Sequence, residues 1–262
     1  MNIGLVGCGS IGQFLLEKIN EEKLFSDYRI TSVLDDREST SDKLLDLSRR
    51  YEFKIFQEIE AFLDAGMGIV VECANIKVAK EYACKIVEQK DLLLISIGAL
   101  SDATLYKELH SIAKSKGTKV YLPSGAIGGL DIVKAANTTG GLEAVSLVTR
   151  KPADALSGKL LEKEMVIFEG PAKQAIQEFP QNANVAITLS LAGIGVDETR
   201  VKIIADPTIS KNMHTIHATG EFGKLELTIE NNPSPTNPKT SYLTGLSILS
   251  AIQSLEEQMV IG

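Results

Sequence analysis

The chain has 262 residues, 44% of them hydrophobic and 23% charged, with a formal net charge of -7. That content can fill one large core or two modest ones and excludes wholesale disorder. An acidic balance without any Lys/Arg-rich run argues against a nucleic-acid partner.

Three cysteines, Cys8, Cys73 and Cys84, form no C-x-x-C pair. An odd count without that spacing argues against a disulfide framework or a metal site and fits a reducing compartment. The first apolar run, Ile3 to Val6, is too short for a signal peptide or a membrane span. The expectation is therefore a cytoplasmic chain that begins at Met1 and has no membrane partner. With no Trp and 5% aromatics, a stacking platform is not favoured.

In chain order, the first half alternates short apolar runs with amphipathic segments. The spacing predicts strands at 2–6, 29–34, 68–73, 92–97 and 119–122, nearly continuous in Ile, Val and Leu. Such runs suit parallel strands buried on both faces. Helices are predicted at 11–20, 42–51, 78–89 and 103–115, with Ser41 and Ser101 as N-caps. This alternation argues for right-handed βαβ units. After Pro123 comes a glycine-rich turn, Ser124 to Gly129, and the rhythm changes. Strands are predicted at 143–149, 165–168, 200–204, 214–219 and 224–229, interrupted by a helix at 185–192. This is an α+β pattern with a mainly antiparallel sheet. A proline-bearing loop at 231–239 precedes a last helix at 242–256. The domain expectation is 1–123 and 124–241, with 242–262 packing back on the first.

Gly7-Cys8-Gly9-Ser10-Ile11-Gly12 matches G-x-G-x-x-G directly after a strand and directly before a helix. In that context it is the fingerprint of a Rossmann, doubly wound parallel sheet that binds a dinucleotide. Gly7 permits the tight turn, Gly9 the close approach of the diphosphate, and Gly12 the packing of helix on strand. The diphosphate rests on the backbone N–H groups of the first helical turn, which opens at Ser10 and Ile11. Cys8 reads as a packing residue. Asp35 closes the second strand and can accept from the adenosine ribose hydroxyls, which favours NAD. Asp36 could share that role, and Arg37 could face a 2′-phosphate, so the cofactor is NAD or NADP. Asn75 and the stretch Ser96 to Ala99 follow strands at their carboxyl ends. They read equally as nicotinamide-side residues or as ordinary turns.

Of three histidines, His110 falls in mid-helix. His214 and His217 fall on one strand, where alternation points them to opposite faces and disfavours a two-histidine metal site. His214 shares its face with Asn212 and Ile216. On these grounds alone it is a candidate acid/base group and also an ordinary strand histidine.

Four stretches together resemble the L-aspartate dehydrogenase family: Ser124 to Asp131, Phe179 to Ala186, Ala205-Asp206-Pro207 with Asn212-Met213-His214, and Asn232 to Ser241. The resemblance runs in the family's order over nearly the whole chain. It implies a Rossmann domain, an α+β substrate and dimerisation domain, and NAD(P)-dependent oxidation of L-aspartate. It places the catalytic histidine on His214 and cofactor contacts on Ala126 and Asn184. It also implies a homodimer and a possible supply of iminoaspartate to pyridine nucleotide synthesis. Lys151, Lys211 and Lys239 are candidates for the substrate carboxylates by their proximity to these motifs, though each reads first as a solvated lysine. The competing readings are a reductase of the dihydrodipicolinate or homoserine dehydrogenase type and a non-catalytic NAD(H) sensor.

Overall fold

A computed structural model describes residues 1–35, 41–153, 161–179, 183–235 and 237–259. Contacts divide the chain into two units. One holds Met1–Pro123 with Ala251–Glu256, the other Ser124–Ser250 with the residues past 256.

The first unit is built on six strands: β1 (Asn2–Val6), β2 (Arg29–Leu34), β3 (Lys54–Phe56), β4 (Ile69–Glu72), β5 (Asp91–Leu94) and β6 (Val120–Tyr121). Their order is β3-β2-β1-β4-β5-β6, and every pair is parallel. The apolar runs behave as parallel strands should. Ile3, Leu5, Val33, Val70, Val71, Leu92 and Leu93 have essentially no exposure. The order reverses between β1 and β4, which creates a crevice at their carboxyl ends. The helices are α1 (Ser10–Leu16), α2 (Asp42–Tyr51), α3 (Ile59–Leu63), α4 (Ile76–Val87) and α5 (Ala103–Lys116).

Several boundaries differ from the sequence expectation. The helix expected over 11–20 is α-helical only to Leu16 and continues as a π-helix over Glu17–Glu21. Within that wider turn, Asn20 donates to the carbonyls of Ile30 and Tyr51 and accepts from the Ile30 N–H, tying the helix to β2. Ser41 does cap α2, accepting from the Leu44 N–H. Ser101 does not cap α5. Asp102 does, accepting from Thr104 and Leu105, while the Ser101 hydroxyl donates to Gly98. The strand expected to reach Ile97 ends at Leu94, and a 3₁₀ turn over Ile97–Ser101 follows. Short elements without a full period, β3 and α3, escaped the pattern.

The second unit carries a mixed sheet of β7 (Leu142–Pro152), β8 (Met165–Pro171), β9 (Arg200–Asp206), β10 (Asn212–Gly220) and β11 (Gly223–Asn231). The order is β11-β10-β7-β9-β8, antiparallel except for the β7–β9 pair. One face carries Val145, Leu147, Val201, Ile203, Ile216 and Ala218, all buried. Helices α6 (Leu130–Asn137) and α8 (Ala183–Ala192) pack against each other and on β7. The α6 segment and α7 (Ala172–Glu178) fall where the sequence pattern assigned no element. The 231–239 stretch is not all loop, because β12 (Pro233–Ser234) and β13 (Asn237–Ser241) form a small ribbon. Prolines had masked it. The last helix, α9 (Tyr242–Gln253), belongs to the second unit as far as Ser250.

Candidate active site

In the first unit the glycine fingerprint forms the turn from β1 into α1, and its three glycines do different work. Gly7 sits at φ +91°, and a Cβ there would lie 2.7 Å from the Ala74 Cβ. Gly12 faces the Gly7 carbonyl, 3.0 Å from where its own Cβ would stand. Both are glycine because backbone and neighbours leave no room. Gly9 is different: an added Cβ would meet nothing within 4 Å. Nothing among the described residues requires Gly9 to be small. What it leaves open is space over the first turn of α1, beside Ser10 and Ile11, where N–H groups lack intrahelical partners. This cradle fits the diphosphate of a dinucleotide.

The turn is braced by a residue that the sequence reading missed. Glu72 closes β4, is 1% exposed, and accepts from the Ala74 N–H, the Ser96 N–H and the Ser96 hydroxyl, each at 2.9 Å. Burial raises its carboxyl above the ordinary range, against the pull of these donors. Glu72 thereby joins the turns that follow β4 and β5. Next to it, Cys73 donates through Sγ to the Gly7 carbonyl at 3.1 Å. A lone acidic residue ending the run Ile69-Val70-Val71 was the available signal.

The two stretches considered for the nicotinamide side have local partners. The Asn75 side chain caps α4, accepting from Lys77 and Val78. Ser96 is held by Glu72, and Ile97 through Leu100 are buried. Asp35 follows β2, is 7% exposed, and its N–H donates to Phe56. Asp36 and Arg37 lie outside the described residues.

In the second unit, β10 alternates as expected. His214, Ile216 and Ala218 are buried, and His217 between them is half-exposed. His217 lies 3.8 Å from Glu226 on the outer face. His110 is exposed on α5. His214 is 5% exposed, and its Nδ1 is 3.0 Å from the hydroxyl of Thr149, directly opposite on β7. Burial, and then the positive charge of Lys151, lower the His214 pKa to about 4. The ring is therefore neutral at pH 7. In the tautomer whose Nδ1–H donates to Thr149, Nε2 carries the lone pair and can act as a base.

The sign of the shift makes a prediction. A depressed folded pKa keeps the ring neutral from pH 6.5 down to about 4. Any stability contributed by the neutral form is complete above pH 6.5 and declines as pH falls toward 4. In histidine-labelled protein at pH 5.5, the NMR signal missing from His214→Ala should report a neutral ring. A signal midway through titration at that pH would contradict the burial argument.

The glycine-rich turn after Pro123 lies against β11. A Cβ on Gly128 would stand 3.4 Å from Ile229, and one on Gly129 3.0 Å from Leu227. Ala126 is buried, and its carbonyl accepts from Asn231 Nδ2 at 3.1 Å. Asn184 opens α8 with an exposed side chain, and its carbonyl accepts from Thr188. Among the lysines, Lys211 pairs with Glu230 at 2.9 Å, and the side chain of Lys239 lies outside the described residues. Lys151 is half-buried.

Comparison with known proteins gives this arrangement a context. Residues 131–255 match the family model "Aspartate dehydrogenase, C-terminal", and residues 7–123 match "Homoserine dehydrogenase, NAD binding domain". An L-aspartate dehydrogenase of Methanosarcina barkeri is 39% identical over 277 aligned positions, covering 100% of this chain and 99% of the relative. The chain belongs to the L-aspartate dehydrogenase family. One of Pseudomonas aeruginosa is 38% identical, over 96% of each. The crystal structure of aspartate dehydrogenase from Thermotoga maritima superposes with a TM-score of 0.81 at 30% identity, over 100% of this chain and 99% of that one. Like the family, the chain joins a six-stranded parallel sheet to a mainly antiparallel one. Its cofactor is NAD or NADP.

Asp35 is expected to bear on which of the two is preferred. A carboxylate at the end of β2 repels a 2′-phosphate and accepts from ribose hydroxyls. Asp35→Ser should lower kcat/KM with NAD and raise the NADP to NAD ratio. An unchanged ratio, or a wild type that strongly prefers NADP, would remove Asp35 from this role.

Proposed function

We propose that the chain oxidises L-aspartate to iminoaspartate, which water converts to oxaloacetate and ammonia. The observation that carries this reading is a buried, neutral His214, bonded to Thr149, in a chain that matches L-aspartate dehydrogenases end to end. The bound dinucleotide supplies the two-electron oxidant for the C2–H bond of the substrate. Gly7, Gly9, Ser10, Ile11 and Gly12 hold its diphosphate, and Asp35 takes the adenosine ribose. Ala126 lets the backbone come close to the nicotinamide, and Asn184 offers both a donor and an acceptor. His214 removes a proton through Nε2, from the substrate amine or from the water that attacks the imine. Thr149 holds Nδ1 and so keeps Nε2 free.

In this reading Met1–Pro123 is the dinucleotide domain and 124–241 the substrate and dimerisation domain, with α9 returning toward the first. The functional form is a cytoplasmic homodimer. Iminoaspartate that leaves before hydrolysis feeds pyridine nucleotide synthesis. The test is reduced-nucleotide formation by the purified protein with NAD or NADP across a panel of amino and hydroxy acids. L-Aspartate should be the best substrate. Cofactor binding without turnover of L-aspartate would favour a nucleotide sensor, and faster turnover of another acid would reassign the substrate.

A further inference from the structure

The sheet of the second unit sets His214 beside two polar groups that lack partners among the described residues. Register places Thr149 of β7 and Ile229 of β11 opposite His214. Strands β7 and β11 both run antiparallel to β10, so one step of same-face alternation leads from Thr149 to Lys151 and from Ile229 to Asn231. On β10 the same step leads from His214 to Asn212, which pairs with Asn231. Lys151, Asn212 and Asn231 therefore form the next row on the histidine face, roughly 7 Å along the strands from His214.

Asn231 is 3% exposed. Its Nδ2 donates to Ala126, while its Oδ1 is buried without a hydrogen-bond partner among the described residues. Lys151 is half-buried and has no ion-pair partner among the described residues. Three acids of this unit are engaged elsewhere: Asp206 and Glu164 with Arg150, whose side chain alternates to the other face, and Glu230 with Lys211. Burial lowers the Lys151 pKa. A desolvated cation and a buried acceptor, each unmet, both carry a free-energy cost that a ligand of opposite polarity removes.

We propose that this row reads the substrate: the Lys151 ammonium binds a carboxylate of a dicarboxylic amino acid, and Asn231 Oδ1 accepts from its amino group. The inference rests on the reading as an aspartate dehydrogenase for the identity of the substrate and adds the residues that select it. It also couples binding to chemistry. The charge of Lys151 is the second cause of the low His214 pKa. A carboxylate on Lys151 offsets that charge, so His214 becomes a stronger base once substrate is bound.

The experiment is calorimetric titration of L-aspartate, and separately of succinate, onto enzyme saturated with NADH, a combination that cannot turn over. Lys151→Met keeps the aliphatic stem and removes the charge. It should weaken both ligands roughly 10- to 100-fold, the range for losing a charge-assisted hydrogen bond. NADH affinity and melting temperature should not change, and Lys151→Arg should recover part of the loss. Asn231→Ala should weaken L-aspartate more than succinate, which has no amine. Wild-type affinity for both ligands in Lys151→Met overturns the carboxylate role, and equal losses in Asn231→Ala overturn the amine role. If Lys151→Met does not fold, Lys151→Gln provides the same readout. A wild type that binds neither ligand overturns the aspartate reading itself, a result distinct from failure of either variant.

Discussion

His214→Ala should lower kcat for L-aspartate oxidation by about 10²–10⁴-fold, the usual cost of losing a general acid/base group. Dinucleotide binding should be retained, because the residues assigned to the diphosphate and the adenosine ribose all lie in the first unit. His217→Ala is the matched control. Its ring lies on the outer face of β10, half-exposed beside Glu226, so its removal should change kcat by less than about threefold, as for an ordinary surface substitution. Steady-state kinetics on the two variants, with melting temperatures measured in parallel, separates catalysis from folding. Near-normal turnover in His214→Ala would remove the residue from the mechanism. Equal losses in both variants would show that the two faces of the strand do not divide the work as alternation requires.

Gly9→Val should abolish measurable dinucleotide binding while leaving the fold intact. The backbone at Gly9 is extended, with φ -76° and ψ -158°, and an added Cβ there meets no atom of the described residues within 4 Å. The branched side chain would fill the space where the diphosphate approaches the helix N-terminus. Gly7→Ala should do something else. Its Cβ would collide with Ala74 at a positive φ, so the melting temperature should fall. The contrast separates a glycine kept for the ligand from one kept for the turn. Unchanged NAD affinity in a folded Gly9→Val protein, measured by calorimetry, would place the cofactor elsewhere.

The dinucleotide half was legible because its signals are local. A doubly buried strand announces itself by continuous Ile, Val and Leu, and G-x-G-x-x-G needs only the strand before it and the helix after it. The same locality put His214 and His217 on opposite faces, since strand alternation depends on neither partner nor core. The four motifs that resemble the family also led to His214, although composition and periodicity left that residue open between catalyst and packing.

What the tertiary structure alone decided are pairings between distant residues. Thr149 meets His214 across 65 positions of sequence and Asn231 holds Ala126 across 105, while Glu72 reaches Ser96 from the neighbouring strand. No periodicity encodes such partners, because sheet order and register set them. Cap choice follows the same rule. The sequence put the cap on Ser101, and the path of the 3₁₀ turn before α5 gives it to Asp102. The lysines make the point most directly. Lys151 and Lys211 read alike in sequence, and the fold pairs Lys211 with Glu230 at the surface. Lys151 it sets half-buried on the histidine face, because the register of β7 against β10 and β9 puts it there.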